Sequence, residues 1–427
     1  MSINRLTSTA IFVLAAFVCL FDCRAAEPTA PPSLGSQTAV PFGPLVELLK
    51  VQTVRDKVTV IAGKSGDMHI FVASTNLKKV IEVTVRENDV VEQRTVQSDI
   101  SPEMMDAAFD IKGNLHLLID TQLFIFENGA WRISEETPWK EAGVKPLKAR
   151  FVPGSKDLIW AFQVAGSETG APIRLEIYGF GGGPAAIIWP WFTTGSRTVL
   201  VANSESGYGP WVAVEPEGRL DSVVVGVDAD RTGNVYLLYS RAQGGVSARP
   251  SYRYARIAAE LFKPIRDNDA GALDKEQKAR KALAVEGRPL PIEGGHQWLS
   301  VDPNSGKAFV SLRFIVVGDT WSDQISWPLE GVKLWNVRVA ADLDDAFSAL
   351  TIGPASRSAQ GKENVVRYMR LSGGAWSAPI EIGVASVGSF FGLTGDALGI
   401  ARAVDGRVFV VWPTESAIVG RWILPNR

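Results

Sequence analysis

Apolar and polar positions alternate along this chain in short runs, and the runs are bounded by turns of one recurring kind. "DADRTGNVYLLYS" (228–240) sets an aspartate, a glycine and then an apolar, aromatic run. "DIKGNLHLLI" (110–119), "DPNSGKAFVSL" (302–312) and "DGRVFVVW" (405–412) repeat the arrangement. Period-two alternation is the mark of a strand. An aspartate that bonds the turn backbone, with a glycine supplying positive φ, is the mark of a tight reversal. Each copy therefore predicts a β-hairpin.

Related turns occur at Gly66-Asp67 before "MHIFVAS", Gly113-Asn114, Gly154-Ser155 before "DLIWAFQV", Gly233-Asn234, Gly306-Lys307, Gly361-Lys362 before "ENVVRYMRL" and Gly406-Arg407. Most are separated by about 40 to 55 residues, the period of a propeller blade. "QLFIFENGAWRIS" (122–134) and "VVRYMRLSGGAWSAPIEI" (365–382) each add a strand, a turn and a tryptophan-led strand. The expected fold is all-β, a β-propeller of about seven four-stranded blades, closed so that each blade buries its faces against its neighbours. One segment departs from the pattern. Residues 256–287 are rich in Ala, Lys, Glu and Arg, which predicts a short helical insertion or a mobile linker.

The D-x-x-G-N-[LV]-[HY] recipe, as in Asp110 to His116 and Asp230 to Tyr236, resembles that of secreted propellers of the sialidase-like (BNR repeat) and NHL-like groups. Such a resemblance implies architecture rather than activity. A sialidase would be expected to carry a Phe-Arg-Ile-Pro segment, which is missing; "FKPIRD" (262–267) is a poor match.

The first 26 residues have one early arginine, an apolar core from Ala10 to Phe21, and small residues where a peptidase would cut. They read as a secretory signal, so a secreted or periplasmic protein is expected. Residues 27–44 read as a flexible lead, and 45–427 as the propeller domain. Both cysteines, Cys19 and Cys23, lie in the signal, so the exported part would hold no disulfide. Without residues 1–26 the net charge is near −3. That balance offers no general attraction to nucleic acid, and no later apolar run is long enough to span a bilayer.

Propellers present one concave mouth where all blades converge, at the end opposite the Asp-Gly turns. Residues opening the inner strands are read as Asp106, Asp221, His296, Asp345 with Asp344, and Asp396, with Lys148 and Arg150 at a comparable place. Residues closing the second strands are read as Asp120, Arg241, Arg313 and Arg370. The candidate ligand-binding set is Asp106, Asp221, His296, Asp345, Asp396, Arg241 and Arg313. Arginines could hold a carboxylate through bidentate bonds, and paired aspartates could take calcium or do acid-base work. Each carboxylate could equally bond the neighbouring blade, and each arginine an adjacent acid.

His69 and His116 fall at equivalent places in different blades, and no H-E-x-x-H occurs, so no zinc site is expected. Tryptophans in "IIWPWF" (187–192), "YGPW" (208–211) and "DTWSDQISW" (319–327) look loop-borne and suited to stacking on sugar rings. Trp131, Trp160, Trp376 and Trp412 fall on strand patterns. "GFGGGP" (179–184) lacks the Lys-Ser/Thr of a phosphate loop, and no covalent nucleophile can be nominated. The function expected is recognition of a carbohydrate or carboxylated ligand at the mouth, with no cofactor other than a possible calcium ion. A polysaccharide-acting hydrolase or lyase, or a scaffold for another exported protein, are the alternatives.

Overall fold

The computed structural model describes residues 42–50, 57–137 (except 75, 101, 103 and 111), 146–152, 159–165, 196–204, 207–214, 222–241, 251–259, 288–289, 299–310 (except 303), 315–317, 320–321, 336–342, 346–354, 364–386 and 398–424. These residues form antiparallel sheets built of consecutive strands. The first strand, β1 (Phe42–Lys50), is the one exception to that local order.

Four blades follow in chain order. The first is β2 (Lys57–Ala62), β3 (Met68–Ser74), β4 (Lys79–Arg86) and β5 (Asp89–Ser98). The second is β6 (Met105–Phe109), β7 (Leu115–Ile119), β8 (Gln122–Glu127) and β9 (Ala130–Ser134). The third is β10 (Pro146–Val152), β11 (Ile159–Ala165), β12 (Ser196–Ser204) and β13 (Gly207–Val214). The fourth sheet, β14 (Ser222–Ala229), β15 (Val235–Arg241), β16 (Ser251–Ile257) and β17 (Arg288–Pro289), ends in an outer strand of two residues. The fifth is shortened in the same way: β18 (Leu299–Val301), β19 (Lys307–Val310), β20 (Ile315–Val317) and β21 (Thr320–Trp321).

The sixth sheet is β22 (Asn336–Ala341), β23 (Phe347–Pro354) and β24 (Asn364–Ser372). The edge of β24 is shared by β25 (Ala375–Trp376) and β26 (Ile380–Ala385). The last blade is β27 (Gly399–Arg402), β28 (Val408–Pro413) and β29 (Ala417–Ile423), and β1 supplies its outer strand by pairing with β29. Inner strands lie side by side in the order β2, β6, β10, β14, β18, β22, β27, and β27 lies beside β2. The chain thus closes on itself as a β-propeller, and the first strand seals the last blade.

Second strands are buried on both faces. All of β7 (LHLLI) and β28 (VFVVWP) is out of water, so these strands read as continuous apolar runs. The core is a set of layers between neighbouring blades. Phe71 and Val80 of one blade meet Leu117 and Phe124 of the next, Phe309 meets Phe347, and Leu350 and Ile352 meet Trp412 and Val419. At the layer around Trp412 a glycine is required: a Cβ on Gly383 would stand 2.6 Å from the Trp412 ring.

Two expectations about the fold are corrected. Instead of about seven full four-stranded blades, five are complete, those holding β2–β5, β6–β9, β10–β13, β22–β26 and β27–β29 with β1. The sheets β14–β17 and β18–β21 stop at two-residue outer strands. Nor is there a helical insertion: no helix occurs among the described residues, β16 runs on through Ile257, and residues 260–287 lie outside them. Arg256 and Ile257, the first residues of the predicted insertion, pair with Tyr236 and Val235, and that pairing overrides a weak helix propensity.

Register also shifts two assignments. "DDAFSAL" does not open an inner strand. β22 is the inner strand, and Phe347 begins the second, so Asp344 and Asp345, outside the described residues, precede the second strand. "ENVVRYMRL" is the third strand, which puts Arg370 in β24. Trp211 lies within β13 and Trp321 within β21, strands rather than loops.

Candidate functional site at the channel mouth

The turns joining inner to second strands repeat a hydrogen-bonded unit. Asp110, Asp230 and Asp302 each donate their own N–H back across the turn, to Asn114, Asn234 and Lys307 carbonyls. Gly113, Gly233 and Gly306, at φ of 88°, 88° and 66°, close it from the other side. Carboxylate oxygens then cap the turn. Asp110 Oδ1 accepts from Asn114 N at 2.7 Å. Asp230 Oδ1 accepts from Thr232 N and Asn234 N. Asp302 Oδ1 accepts from Asn304 N and Ser305 N.

The second oxygen reaches the side chain six residues on, which stands on the second strand. His116 Nε2 lies 3.2 Å from Asp110 Oδ2, and Tyr236 Oη donates to Asp230 Oδ2 at 2.9 Å. Burial opposes ionisation of Asp110 and Asp230, but these bonds outweigh it and hold both below the ordinary carboxylate value. Burial pulls His116 below its usual range. These aspartates build architecture at one end of the propeller.

A second set of polar side chains joins inner strands to each other. Every inner strand is a sheet edge, with backbone groups facing away from its partner strand. Thr59 Oγ1 donates to the Met105 carbonyl at 3.3 Å. Asp106 Oδ1 accepts from Ala107 N and Oδ2 from Phe151 N at 3.0 Å, so it spans from β6 to β10. Asp228 does the same from β14 to β18: Oδ1 takes Ala229 N at 2.9 Å and Oδ2 takes Val301 N at 2.7 Å. Asp228 is half-buried between the two strands. Loss of hydration outweighs the two backbone bonds and pushes its pKa up to about 7.

The opposite end, where inner strands begin, is the predicted mouth. Asp120, at φ 54°, closes the second blade there by exchanging bonds with Met104: Met104 N donates to Asp120 Oδ1 at 2.9 Å, and Asp120 N to the Met104 carbonyl. Asp106 lies in β6, in the backbone-bridging role just given. Arg241 closes β15 opposite Ser222, the residue that opens β14. Asp221, His296, Arg313, Asp345 and Asp396 lie outside the described residues, as does the Gly154-Ser155 turn. Arg370 belongs to the other end, where its Nε donates to Asp342 Oδ2 at 2.7 Å.

One polar centre escaped the sequence reading. Glu82, in the middle of β4, is 1% exposed, and its carboxylate accepts from His69 Nδ1 at 2.8 Å, Arg94 Nη1 at 3.4 Å and, from the next blade, Trp131 Nε1 at 2.9 Å. Burial opposes its ionisation, but the His69 and Trp131 bonds prevail and keep it below the usual value. A lone glutamate inside the apolar run "VIEVTV" was the available signal, because a charge there must find partners. No group of three or more His, Cys, Asp or Glu side chains suited to a metal ion occurs among the described residues. No described helix is long and apolar enough to cross a membrane.

No protein-family model matches the chain, and no curated protein does. Solved structures align with most of it at low identity. A lectin of Aleuria aurantia, in complex with Fucalpha1-6GlcNAc, is 11% identical over 88% of this chain and 94% of that one, with a TM-score of 0.40. An alpha-L-arabinanase of Penicillium chrysogenum, complexed with arabinobiose, is 10% identical over 90% and 98%, with a TM-score of 0.42. The Dos1 propeller is 8% identical over 90% and 96%, also at 0.42. At such values these likenesses bear on chain course alone.

Proposed function

We propose that this chain is an exported propeller that recognises a carbohydrate or carboxylated ligand at the mouth where its inner strands begin, without performing chemistry on it. The observation that carries the reading is the strand order. Asp221 immediately precedes β14, and Arg241 closes the paired strand β15. His296 and Asp396 come three residues before β18 and β27, and Arg313 three residues after β19. Charged and polar residues of three sheets thus stand, in sequence, within three residues of the strand ends at the proposed mouth. Arginine forks suit carboxylates, and the aspartates and histidine suit sugar hydroxyls. Asp106 supports recognition over catalysis, because both its oxygens already accept backbone N–H groups.

A polysaccharide-acting hydrolase or lyase using the rim aspartates and arginines is the second reading; Asp228, whose two oxygens accept from Ala229 N and Val301 N, does not supply its acid. Calorimetric titration of residues 27–427 with acidic and neutral oligosaccharides, with and without calcium, separates these readings. Binding of one class is expected, about tenfold weaker in Arg241→Ala and in Arg313→Ala, with the sugar recovered intact. Binding that ignores both arginine variants overturns the mouth, and shortened products shift the conclusion to the enzyme.

A further inference from the structure

The turn after β2 departs from the repeat in a way that opens a second site, at the opposite end of the propeller. Its backbone is that of its neighbours: Gly63 N donates to the Asp67 carbonyl at 2.7 Å, and Gly66, at φ 85°, donates to the Gly63 carbonyl at 3.0 Å. Aligned on the next blade, Gly63 stands where Asp110 stands, Asp67 where Asn114 stands, and His69 where His116 stands. The carboxylate that caps the Asp110, Asp230 and Asp302 turns is therefore missing here, as it is at Ala403 of the last blade. The N–H groups of Ser65 and Asp67 correspond to ones that a capping carboxylate accepts from in those turns.

His69 is held facing the vacated place. Its Nδ1 is fixed 2.8 Å from Glu82 Oε1, a carboxylate that is 1% exposed, while Nε2 lies 3.3 Å from where a Cβ on Gly63 would be. The ring remains 18% exposed, and among the described residues Nε2 has no hydrogen-bond partner. The negative charges close by are already engaged. Asp67 is bound by Arg86 Nε and Nη2, both at 2.9 Å, Glu82 by His69, Arg94 and Trp131, and Asp110 by Asn114 and His116. Lys64 Nζ, 3.3 Å from the Cβ position of Gly113, lies between this turn and the next, and Arg86 is largely exposed.

We infer that the Gly63–Asp67 turn binds an oxyanion, most simply the carboxylate of a ligand, in place of the aspartate side chain that the Asp110, Asp230 and Asp302 turns carry. One oxygen would accept from His69 Nε2 once that nitrogen is protonated. The other would meet the turn N–H groups, with Lys64 supplying charge. Backbone N–H groups converging with a cation form an anion-binding concavity. The site stands apart from the mouth, so its fate does not depend on Arg241 or Arg313.

Histidine side-chain nitrogen NMR tests it, since the chain has three histidines. Acetate and inorganic phosphate are titrated separately, with chloride at matched ionic strength. A saturable displacement of the His69 Nε2 resonance by acetate is expected. It should be absent in Gly63→Asp, which supplies the carboxylate covalently, and about tenfold weaker in affinity in Lys64→Ala, the loss of one charge-assisted contact. A response to phosphate but not acetate assigns the same site to phosphate-bearing ligands. No saturable change with either anion, the same change with chloride, or a change that persists in both Gly63→Asp and Lys64→Ala overturns the proposal. If Gly63→Asp fails to fold, Lys64→Ala decides alone.

Discussion

Buried beneath its turn, Asp302 has one oxygen fully engaged and one with no hydrogen-bond partner among the described residues. Oδ1 accepts from Asn304 N, Ser305 N and Ser305 Oγ. This turn is one residue longer than those of Asp110 and Asp230, so the position matching His116 and Tyr236 is Phe309, paired with Ser300, and it cannot donate. Phe309→Tyr would offer a hydroxyl, as Tyr236 offers one to Asp230 at 2.9 Å. A gain of about 1 kcal/mol in a denaturant melt is the expected outcome, and an unchanged or lower midpoint would count against the repeat unit.

Asp228 leads to a pH effect of defined sign. Its folded-state pKa is raised to about 7 from 3.8, so the folded protein holds that proton more tightly than the unfolded chain does. The stability associated with it is present below about pH 4 and is lost as pH rises towards 7. Asp67, Glu82, Asp110 and Asp230 are lowered and act in the opposite direction at acid pH. The effect is therefore read as a difference: the Tm of Asp228→Asn relative to the parent should climb between pH 4 and 7, by the equivalent of a few kcal/mol at most. A flat difference would show that Asp228 ionises normally. At this scale the turn aspartates were legible, because an Asx turn is local in sequence. Glu82 and Asp228 were not, because their partners, Trp131 and Val301, lie 49 and 73 residues away.

Among elements, β1 matters most for closure. It pairs with β29 across nearly the whole chain, Val46 and Leu48 join the core layer of Phe409 and Trp422, and Trp422 Nε1 donates to the Glu87 carbonyl of the following blade. Leu48 is 1% exposed. Leu48→Ala should cost about 2–5 kcal/mol and broaden the thermal transition as the last blade loosens. A loss under about 0.5 kcal/mol, the scale of a surface substitution, would deny β1 this role. Hairpins such as β8–β9, reversing at Asn128 and Gly129 with φ of 53° and 80°, were readable because turn and strands are contiguous. The pairing of "FGPLVELLK" with the far end of the chain has no local signature, and part of it reads as a flexible lead. The extra strand β25 and the two-residue outer strands likewise reflect packing rather than periodicity.

Taken as a whole, the molecule has two chemically different ends. At one, Asp110 and Asp230 are consumed by their own turns, while Gly63 and Ala403 carry no carboxylate at the matching place. At the other, Arg241 closes β15 opposite Ser222, and Asp221, His296, Arg313 and Asp396, which lie outside the described residues, are the remaining ligand residues proposed. At "DDAFSAL" the sequence reading is one strand out, since apolar alternation alone does not say which strand of a blade is innermost, and Asp345 lies outside the described residues. The central claim is that ligand is recognised at the end where inner strands open. Amide hydrogen exchange of residues 27–427, with and without the oligosaccharide class that binds, tests it most directly. Protection confined to segments around 221–223, 239–242, 296–299 and 311–314 is the result expected. Protection confined to the Asp-Gly turns, with the strand openings unchanged, would contradict it.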